Sequence, residues 1–212
     1  MIRNYVKIAW RNLIHNKVYS GINIGGLAVG MAVAMLIGLW IYDELSVNRY
    51  HQNYDRIAQV MRNRTINGET GTRSGLPIPV AGSLRTTYGD NFRHVVLAWS
   101  TNLHTLTIGN QAFSKSGKFM TPEGPDMLSL KMLKGSRDGL REPGSILLSE
   151  SVALALFGKE NPLHKTLAID NTMTVEVTGI YEDIPAGNTL ADVQFIVPWD
   201  LYASSTGWVN EA

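Results

Sequence analysis

The sequence predicts an α+β protein in which an N-terminal transmembrane helix precedes a domain of mixed helices and strands. The first 42 of its 212 residues contain no Asp or Glu, and residues 18–42 carry no charge at all. The remainder holds all 18 acidic residues against 15 of the 19 basic ones, so its net charge is −3. In that remainder, helix and strand signals mix without a regular strand–helix–strand repeat, which indicates α+β rather than a parallel sheet.

Residues 18–42 are long and apolar enough for a transmembrane helix. This uncharged run of 25 residues exceeds the ~20 that a helix needs to cross the hydrocarbon core. Tyr19 lies near one end and Trp40 and Tyr42 at the other, where aromatic rings favour the membrane interface. A cleaved leader, with an apolar region of ~7–15 residues and a small-residue cleavage site, fits less well. The buried helix of a soluble protein is the other alternative.

The charges that flank this run predict its orientation. Basic residues precede it, and Asp43 and Glu44 follow it directly. By the positive-inside rule, the N-terminus lies in the cytoplasm and residues 43–212 lie on the far side of the membrane.

Residues 1–17 show the pattern of a cytoplasmic amphipathic juxtamembrane helix. Apolar side chains recur at helical spacing on one face: Ile2, Val6, Ala9, Trp10 and Leu13. The candidate cytoplasmic basic face consists of Arg3, Lys7, Arg11 and Lys17. Such a helix lies in the lipid interface with its charges near anionic headgroups, so membrane lipid is an expected partner. A basic tail that only sets the topology is the alternative.

Small residues recur every four positions within the predicted span. The candidate helix-packing residues are Gly26, Gly30, Ala34 and Gly38. Small side chains at this spacing leave a groove in which a second helix can approach closely. The pattern therefore predicts packing against another membrane helix, although glycine is also common in membrane helices by chance.

The domain after the span is predicted to contain helices at Pro79–Tyr88 and between Ser149 and Gly158. Proline stands at the start of the first, while Ser149 is the expected N-cap of the second. Two hairpins are expected, the first around Gly109-Asn110 (strands 103–108 and 112–119) and the second around residues 170–172 (strands Thr166–Ile169 and Met173–Tyr181). Further strands are predicted at 92–99, 146–148 and 194–197, and a helix running into a strand at 54–64.

Known catalytic patterns are not apparent in the sequence. There is no cysteine, and the five histidines form no helical metal-binding pair. Neither a phosphate-binding loop nor a serine-hydrolase motif occurs. The carboxylates of Glu182 and Asp183 are adjacent, but neighbouring side chains diverge and the sequence identifies no partner. We therefore expect no catalytic residue, no cofactor and no metal. The net charge of +1 gives no indication of nucleic-acid binding.

Several segments together resemble bacterial ABC transporter permeases of the MacB/FtsX-like family. They are residues 7–13, the glycine-rich span, and residues 42–45, 53–57, 144–151, 156–158 and 177–185. The resemblance implies that residues 43–212 form a MacB-like periplasmic core domain. It also implies a chain longer than this one, with three further membrane helices, so that residues 208–212 would end inside the core domain. One departure is His164, at a turn position where the family usually has glycine.

The resemblance also implies a mechanism. The chain would be the permease subunit of an ABC transporter in the inner membrane, itself non-catalytic, with a cytoplasmic ABC ATPase as a separate subunit. It would couple ATP hydrolysis to a periplasmic rearrangement for export or extraction of a substrate, that is, by mechanotransmission. A second permease copy or half and a periplasmic adaptor are further implied partners. The alternative is a single-pass membrane-anchored extracytoplasmic binding or sensor module. The sequence does not specify the substrate.

Overall fold

The computed structural model describes residues 2–206, which form two compact units that divide after Val47. The first unit consists of two helices, α1 (Ile2–His15) and α2 (Lys17–Ser46). Between them, Asn16 has φ −107° and ψ 55°, outside the helical region. The helix expected over residues 1–17 therefore ends at His15, and Lys17 begins the next helix.

Helix α2 is the candidate membrane span by its length and composition. Its 30 residues correspond to about 45 Å at the helical rise, compared with a hydrocarbon core of about 30 Å. The most apolar 18-residue window has a mean hydropathy of 2.2, and none of α2 is buried within the chain. The helix continues past Tyr42 to Ser46, whose Oγ donates a hydrogen bond of 2.7 Å to the Asp43 carbonyl.

The second unit, which we call the body, begins at Asn48. Its helices are α3 (Pro79–Tyr88), α4 (Gly124–Met127), α5 (Glu150–Phe157) and α6 (Trp199–Ser205). Its strands are β1 (Arg62–Ile66), β2 (Glu69–Arg73), β3 (Asn102–Ile108), β4 (Gln111–Met120), β5 (Met132–Gly135), β6 (Ser145–Ser149), β7 (Thr166–Ile169), β8 (Met173–Tyr181) and β9 (Phe195–Pro198). Single 3₁₀ turns occur at Tyr54–Arg56, Gly89–Asn91 and Arg137–Arg141.

Seven of these strands form one mixed sheet in the order β5-β8-β6-β9-β4-β3-β7. Strand β7 also pairs with β8, so six of the strands close into a ring. The β6–β8 and β4–β9 pairs are parallel, and the remaining pairs are antiparallel. The α+β class predicted from the sequence is confirmed.

The core follows the two-residue period of the strands. On β6, Ile146 and Leu148 belong to one buried cluster, whereas Leu147 between them belongs to a second cluster on the other face of the sheet. All five residues of β6 are buried, so this strand is covered on both faces. Full burial of each such aliphatic side chain contributes about 1.5–3 kcal/mol, which makes β6 a central element of the core.

Both expected hairpins are confirmed. Strands β3 and β4 pair across a turn in which Gly109 has φ 54°, and β7 and β8 pair across Asp170 and Asn171, at φ 51° and 55°. Positive φ at these positions is what tight hairpin turns require, and Gly, Asn and Asp tolerate it best. The expected helix Pro79–Tyr88 is also confirmed, with Pro79 in its first turn.

The strand predicted at residues 92–99 is wrong. This segment forms only an isolated bridge between Ala98 and Met120, although Trp99 donates its amide to the Phe119 carbonyl (2.8 Å) and Leu97 accepts from Thr121 (2.9 Å). The segment covers the last residues of β4, beyond the reach of β3. Two backbone hydrogen bonds are enough to cover these residues. Residues 92–99 therefore form no continuous strand, despite their high β-propensity.

The expected helix-to-strand segment at 54–64 is reduced to a single 3₁₀ turn, Tyr54–Arg56, and the start of β1. The expected position of Ser149 at the N-cap of α5 is confirmed. Ser149 is the N-cap residue but makes no side-chain cap bond, and its Oγ contacts Ser151 Oγ at 3.2 Å. Asp183 instead accepts the Ser151 amide, with both oxygens at 3.3 Å.

Candidate functional site

The small residues of α2 lie on one open stripe. Apart from the backbone of α2 itself, no described atom lies within 4 Å of a Cβ built on Gly26, Gly30 or Gly38, and Ala34 is exposed. Successive members are four residues apart and so turn by about 40° around the helix. The stripe therefore covers about a third of the circumference and leaves a shallow groove that nothing in the described chain fills. Its use in helix packing stays a prediction.

The predicted basic face is divided between the two N-terminal helices. Arg3, Lys7 and Arg11 are spaced by four residues on α1 and share a face, whereas Lys17 lies beyond the break at Asn16. All four side chains are exposed. The sequence pattern missed the break because Asn16 itself sits within an otherwise continuous helical period.

The first residue of the body is held by a group of hydrogen bonds. Asn48 donates its amide to the Gly187 carbonyl at 3.0 Å. Its Oδ1 accepts from both the amide and the hydroxyl of Thr189, at 2.8 and 3.0 Å. Asn48 has φ 64°, a left-handed conformation that asparagine tolerates better than most residues. We call this arrangement the Asn48 anchor.

His51 adds a second attachment three residues further on. It is buried, and its Nδ1 lies 2.6 Å from the Leu128 carbonyl, while Tyr50 packs edge-on against its ring at a centroid distance of 5.3 Å. Sequence reasoning found no role for His51 or Asn48. Their partners are 77 and 141 residues away in the chain, so no local pattern could reveal them.

The two adjacent carboxylates, Glu182 and Asp183, each have a partner. Glu182 forms an ion pair of 2.8 Å with Lys131, and Asp183 accepts the Ser151 hydroxyl at 2.8 Å. Glu182 also lies near Tyr50. Burial of Tyr50 raises the pKa of its hydroxyl, and the negative charge of Glu182 adds to this effect. The carboxylates thus join separate elements of the body and do not converge as an acid–base pair. Among residues 2–206, no three His, Asp or Glu side chains gather as a metal site.

Together, these features show that residues 2–206 comprise one candidate membrane helix and, after it, a mixed α+β body whose first residues are hydrogen-bonded into its own fold. The model of the MacB-like periplasmic core domain matches residues 20–211. The chain therefore belongs to this family, that of the MacB/FtsX-like ABC transporter permeases. Its candidate membrane helix and the family assignment fit an inner-membrane protein with a periplasmic domain.

Solved structures share the fold of the body. The periplasmic region of MacB from Actinobacillus actinomycetemcomitans gives a TM-score of 0.52 at 21% identity, covering 69% of this chain and 67% of that one. The extracellular domain of the ABC-type transporter YknZ from Gram-positive bacteria gives 0.50 at 20% identity, covering 62% and 67%. At such identities the likeness concerns the fold. The search of curated proteins gives no match.

Proposed function

We propose that this chain acts as the permease subunit of an ABC transporter and couples ATP hydrolysis by a separate cytoplasmic subunit to movement of the body. Residues 1–17 would face the cytoplasm, residues 18–42 would span the inner membrane, and residues 43–212 would form the periplasmic core domain. The subunit would itself be non-catalytic. Family membership supports this role, and the positive-inside distribution of charge supports the orientation.

The Asn48 anchor is the observation that carries the coupling. Asn48 follows the end of α2 by two positions in the sequence, and three hydrogen bonds tie it to the loop at residues 187–189. A connection this short, without glycine, leaves few torsions to absorb a displacement of the helix. Movement delivered along α2 would therefore reach the sheet through this loop.

The stripe at Gly26, Gly30, Ala34 and Gly38 supports a second part of the proposal. Uncovered small residues on a membrane helix favour close packing with further helices of the permease, or with a second permease copy or half. The basic face at Arg3, Lys7, Arg11 and Lys17 would lie near lipid headgroups and the ATPase. A single-pass binding or sensor module would not require the stripe.

Distance measurements between spin labels test the coupling. The chain has no cysteine, so Ser20→Cys and Ser114→Cys introduce one label site on α2 and one on β4. In the complete complex with its ATPase, we expect this distance to differ between the nucleotide-free and ATP-bound states. The control pair is Ser114→Cys with Lys159→Cys, both within the body, whose distance stays constant. An unchanged Ser20–Ser114 distance would contradict the proposal.

The anchor has a test of its own. Asn48→Gly keeps the left-handed backbone accessible but removes the Oδ1 acceptor for Thr189. We expect the ATPase to hydrolyse ATP at an unchanged rate, while the nucleotide-dependent change in the label distance becomes smaller. A full distance change in this variant would show that the anchor does not carry the movement.

A further inference from the structure

The hairpin of β1 and β2, which we call the arginine hairpin (residues 62–73), stands apart from the seven-stranded sheet. The two strands pair only with each other, and all ten of their residues are exposed. They are joined by Asn67 and Gly68, at φ 53° and 85°, the combination typical of a tight two-residue turn. An isolated two-stranded hairpin is marginally stable in water, and both of its outer edges keep backbone groups open to pairing.

One face of this hairpin is satisfied by its own side chains. Thr72 Oγ1 donates to Asn63 Oδ1 at 2.9 Å, and the hydroxyls of Thr65 and Thr70 lie 2.8 Å apart. Both pairs join residues that stand directly opposite each other in the register. This face needs no external partner for its polar groups.

The opposite face concentrates positive charge. Arg62 stands directly opposite Arg73, and Arg64, two residues along the strand, stands opposite Gly71. Like charges in directly opposed positions destabilise a strand pair. Within the described residues, no carboxylate lies within 4.0 Å of any of these three guanidinium groups. Glu69 lies at the turn end of the same face, opposite Ile66, so the unfavourable charge is concentrated at the open end, around Arg62 and Arg73, until an anionic partner covers it.

The charge of the hairpin also contrasts with that of the rest of the body. Arg62, Arg64 and Arg73 against Glu69 give it a net charge of +2, whereas residues 48–212 outside the hairpin have −3. Guanidinium groups suit two-point hydrogen bonding to carboxylates. Exposed charge can also serve merely to protect a strand edge, but opposed arginines weaken the very hairpin that they would protect.

The geometry of the strand selects among anionic partners. Arg62 and Arg64 project from the same face about 6.7 Å apart, twice the rise of a strand residue. An extended polypeptide that pairs with the open edge of β1 places its own alternate side chains at the same interval, directly beside the arginines. Carboxylates at every second residue of that polypeptide would match them, and the backbone edge would supply further hydrogen bonds.

We propose that the arginine hairpin binds an extended acidic segment of a partner protein, which adds to it as a third strand with carboxylates at alternate positions. The pairing neutralises the arginine face and satisfies one open edge. It concerns recognition by the body and does not depend on coupling to ATP hydrolysis.

Two synthetic peptides of identical composition test this proposal against the full chain in nanodiscs of zwitterionic lipid. One alternates Glu with Thr over seven residues, and the other carries its Glu residues in one block. We expect the alternating peptide to bind about tenfold more tightly and to slow amide hydrogen exchange in β1. Equal affinity of the two peptides, or no binding of either, would overturn the proposal.

Matched variants locate the site. Arg64 stands opposite Gly71, so Arg64→Gln leaves every cross-strand pair of the hairpin in place while weakening the alternating peptide about tenfold. Arg93→Gln, at an exposed arginine outside the hairpin, leaves the affinity unchanged. Equal weakening by both variants contradicts the proposal, because it would indicate general charge attraction. Vesicles containing anionic lipid serve as a competitor for the bound peptide. If they displace the peptide, and the two peptides do not differ, the hairpin binds membrane phosphate instead.

Discussion

Gly117 is the residue at which the sheet leaves the least room. It lies directly opposite Phe195 in the parallel β4–β9 pair, and a Cβ built on Gly117 would fall within the Phe195 ring. Phe195 is fully buried in the first core cluster, so the ring has no free direction in which to move. Glycine here is required by close approach and not by backbone conformation.

We expect Gly117→Ala to lower the free energy of unfolding of the full chain by about 3 kcal/mol, at the upper end of the usual cost of overpacking. Urea denaturation in detergent, followed by tryptophan fluorescence, measures the change. Gly82→Ala is the control, since it lies within α3 with nothing near its would-be Cβ, and alanine should stabilise that helix by about 0.5–1 kcal/mol. Similar effects of the two substitutions would contradict the claim that Phe195 leaves no room for a side chain at position 117.

His164 occupies a turn position at which the family usually has glycine. It has φ 65°, the left-handed conformation that a glycine would favour. Its amide donates a hydrogen bond to the Val177 carbonyl (2.9 Å), and its side chain contacts Glu176 (2.7 Å). That side-chain contact is exposed, so it contributes little. The strain of the left-handed backbone is therefore only weakly offset.

Two substitutions at this position separate the strain from the side-chain contact. His164→Gly should equal or exceed the original protein in stability, while His164→Ala should be less stable than His164→Gly by about 1 kcal/mol. Thermal unfolding of both variants, compared in the same detergent, provides the measurement. If alanine proves as stable as glycine, the turn has changed its backbone conformation.

At the scale of single elements, α5 shows that a helix can be capped from a distant part of the chain. Asp183 follows β8 and accepts both the amide and the hydroxyl of Ser151, in the first turn of the helix. A carboxylate in this position also interacts favourably with the helix dipole. Ser149, which the local sequence favours as the cap, turns its hydroxyl toward Ser151 instead.

We expect Asp183→Ala to destabilise the protein by about 1 kcal/mol, the usual cost of losing an N-cap. Asp183→Asn retains an acceptor oxygen and should cost less, and Ser149→Ala should cost no more than about 0.5 kcal/mol. Chemical denaturation of the three variants gives the order. A larger loss of stability for Ser149→Ala than for Asp183→Ala would show that the side chain of Ser149 is the more important cap.

Local signals predicted a large part of these elements. Hairpins β3–β4 and β7–β8, helix α3 and the central strand β6 were correct, because each depends on turn residues or periodicity within a few positions. What was missed depends on distant partners. Residues 92–99 have strand propensity, but the free end of β4 determines their conformation. The Asn48 anchor and the partners of Glu182 and Asp183 likewise join segments far apart in sequence.

For the whole molecule, the proposal that another helix covers the open stripe on α2 can be tested directly. The sequence offers a matched pair of substitutions, since Ala34 belongs to the stripe and Ala32 points to the opposite side of the helix. We expect Ala34→Leu to weaken co-purification with a second, differently tagged permease copy roughly tenfold, because the larger side chain blocks close approach. Ala32→Leu should leave it unchanged. Equal co-purification of the two variants would show that the stripe does not lie in the interface.

The position of β9 has a consequence for how the molecule reaches its folded state. It lies between β6 and β4, although it follows β5, β6, β7 and β8 in the chain. A body that emerges N-terminus first therefore holds the inner edge of β4 open until the last strand arrives, and such late, non-local pairing is slow. Until β9 pairs, this open edge is exposed to aggregation and proteolysis. The yield of folded protein thus depends on how soon β9 pairs as well as on native stability.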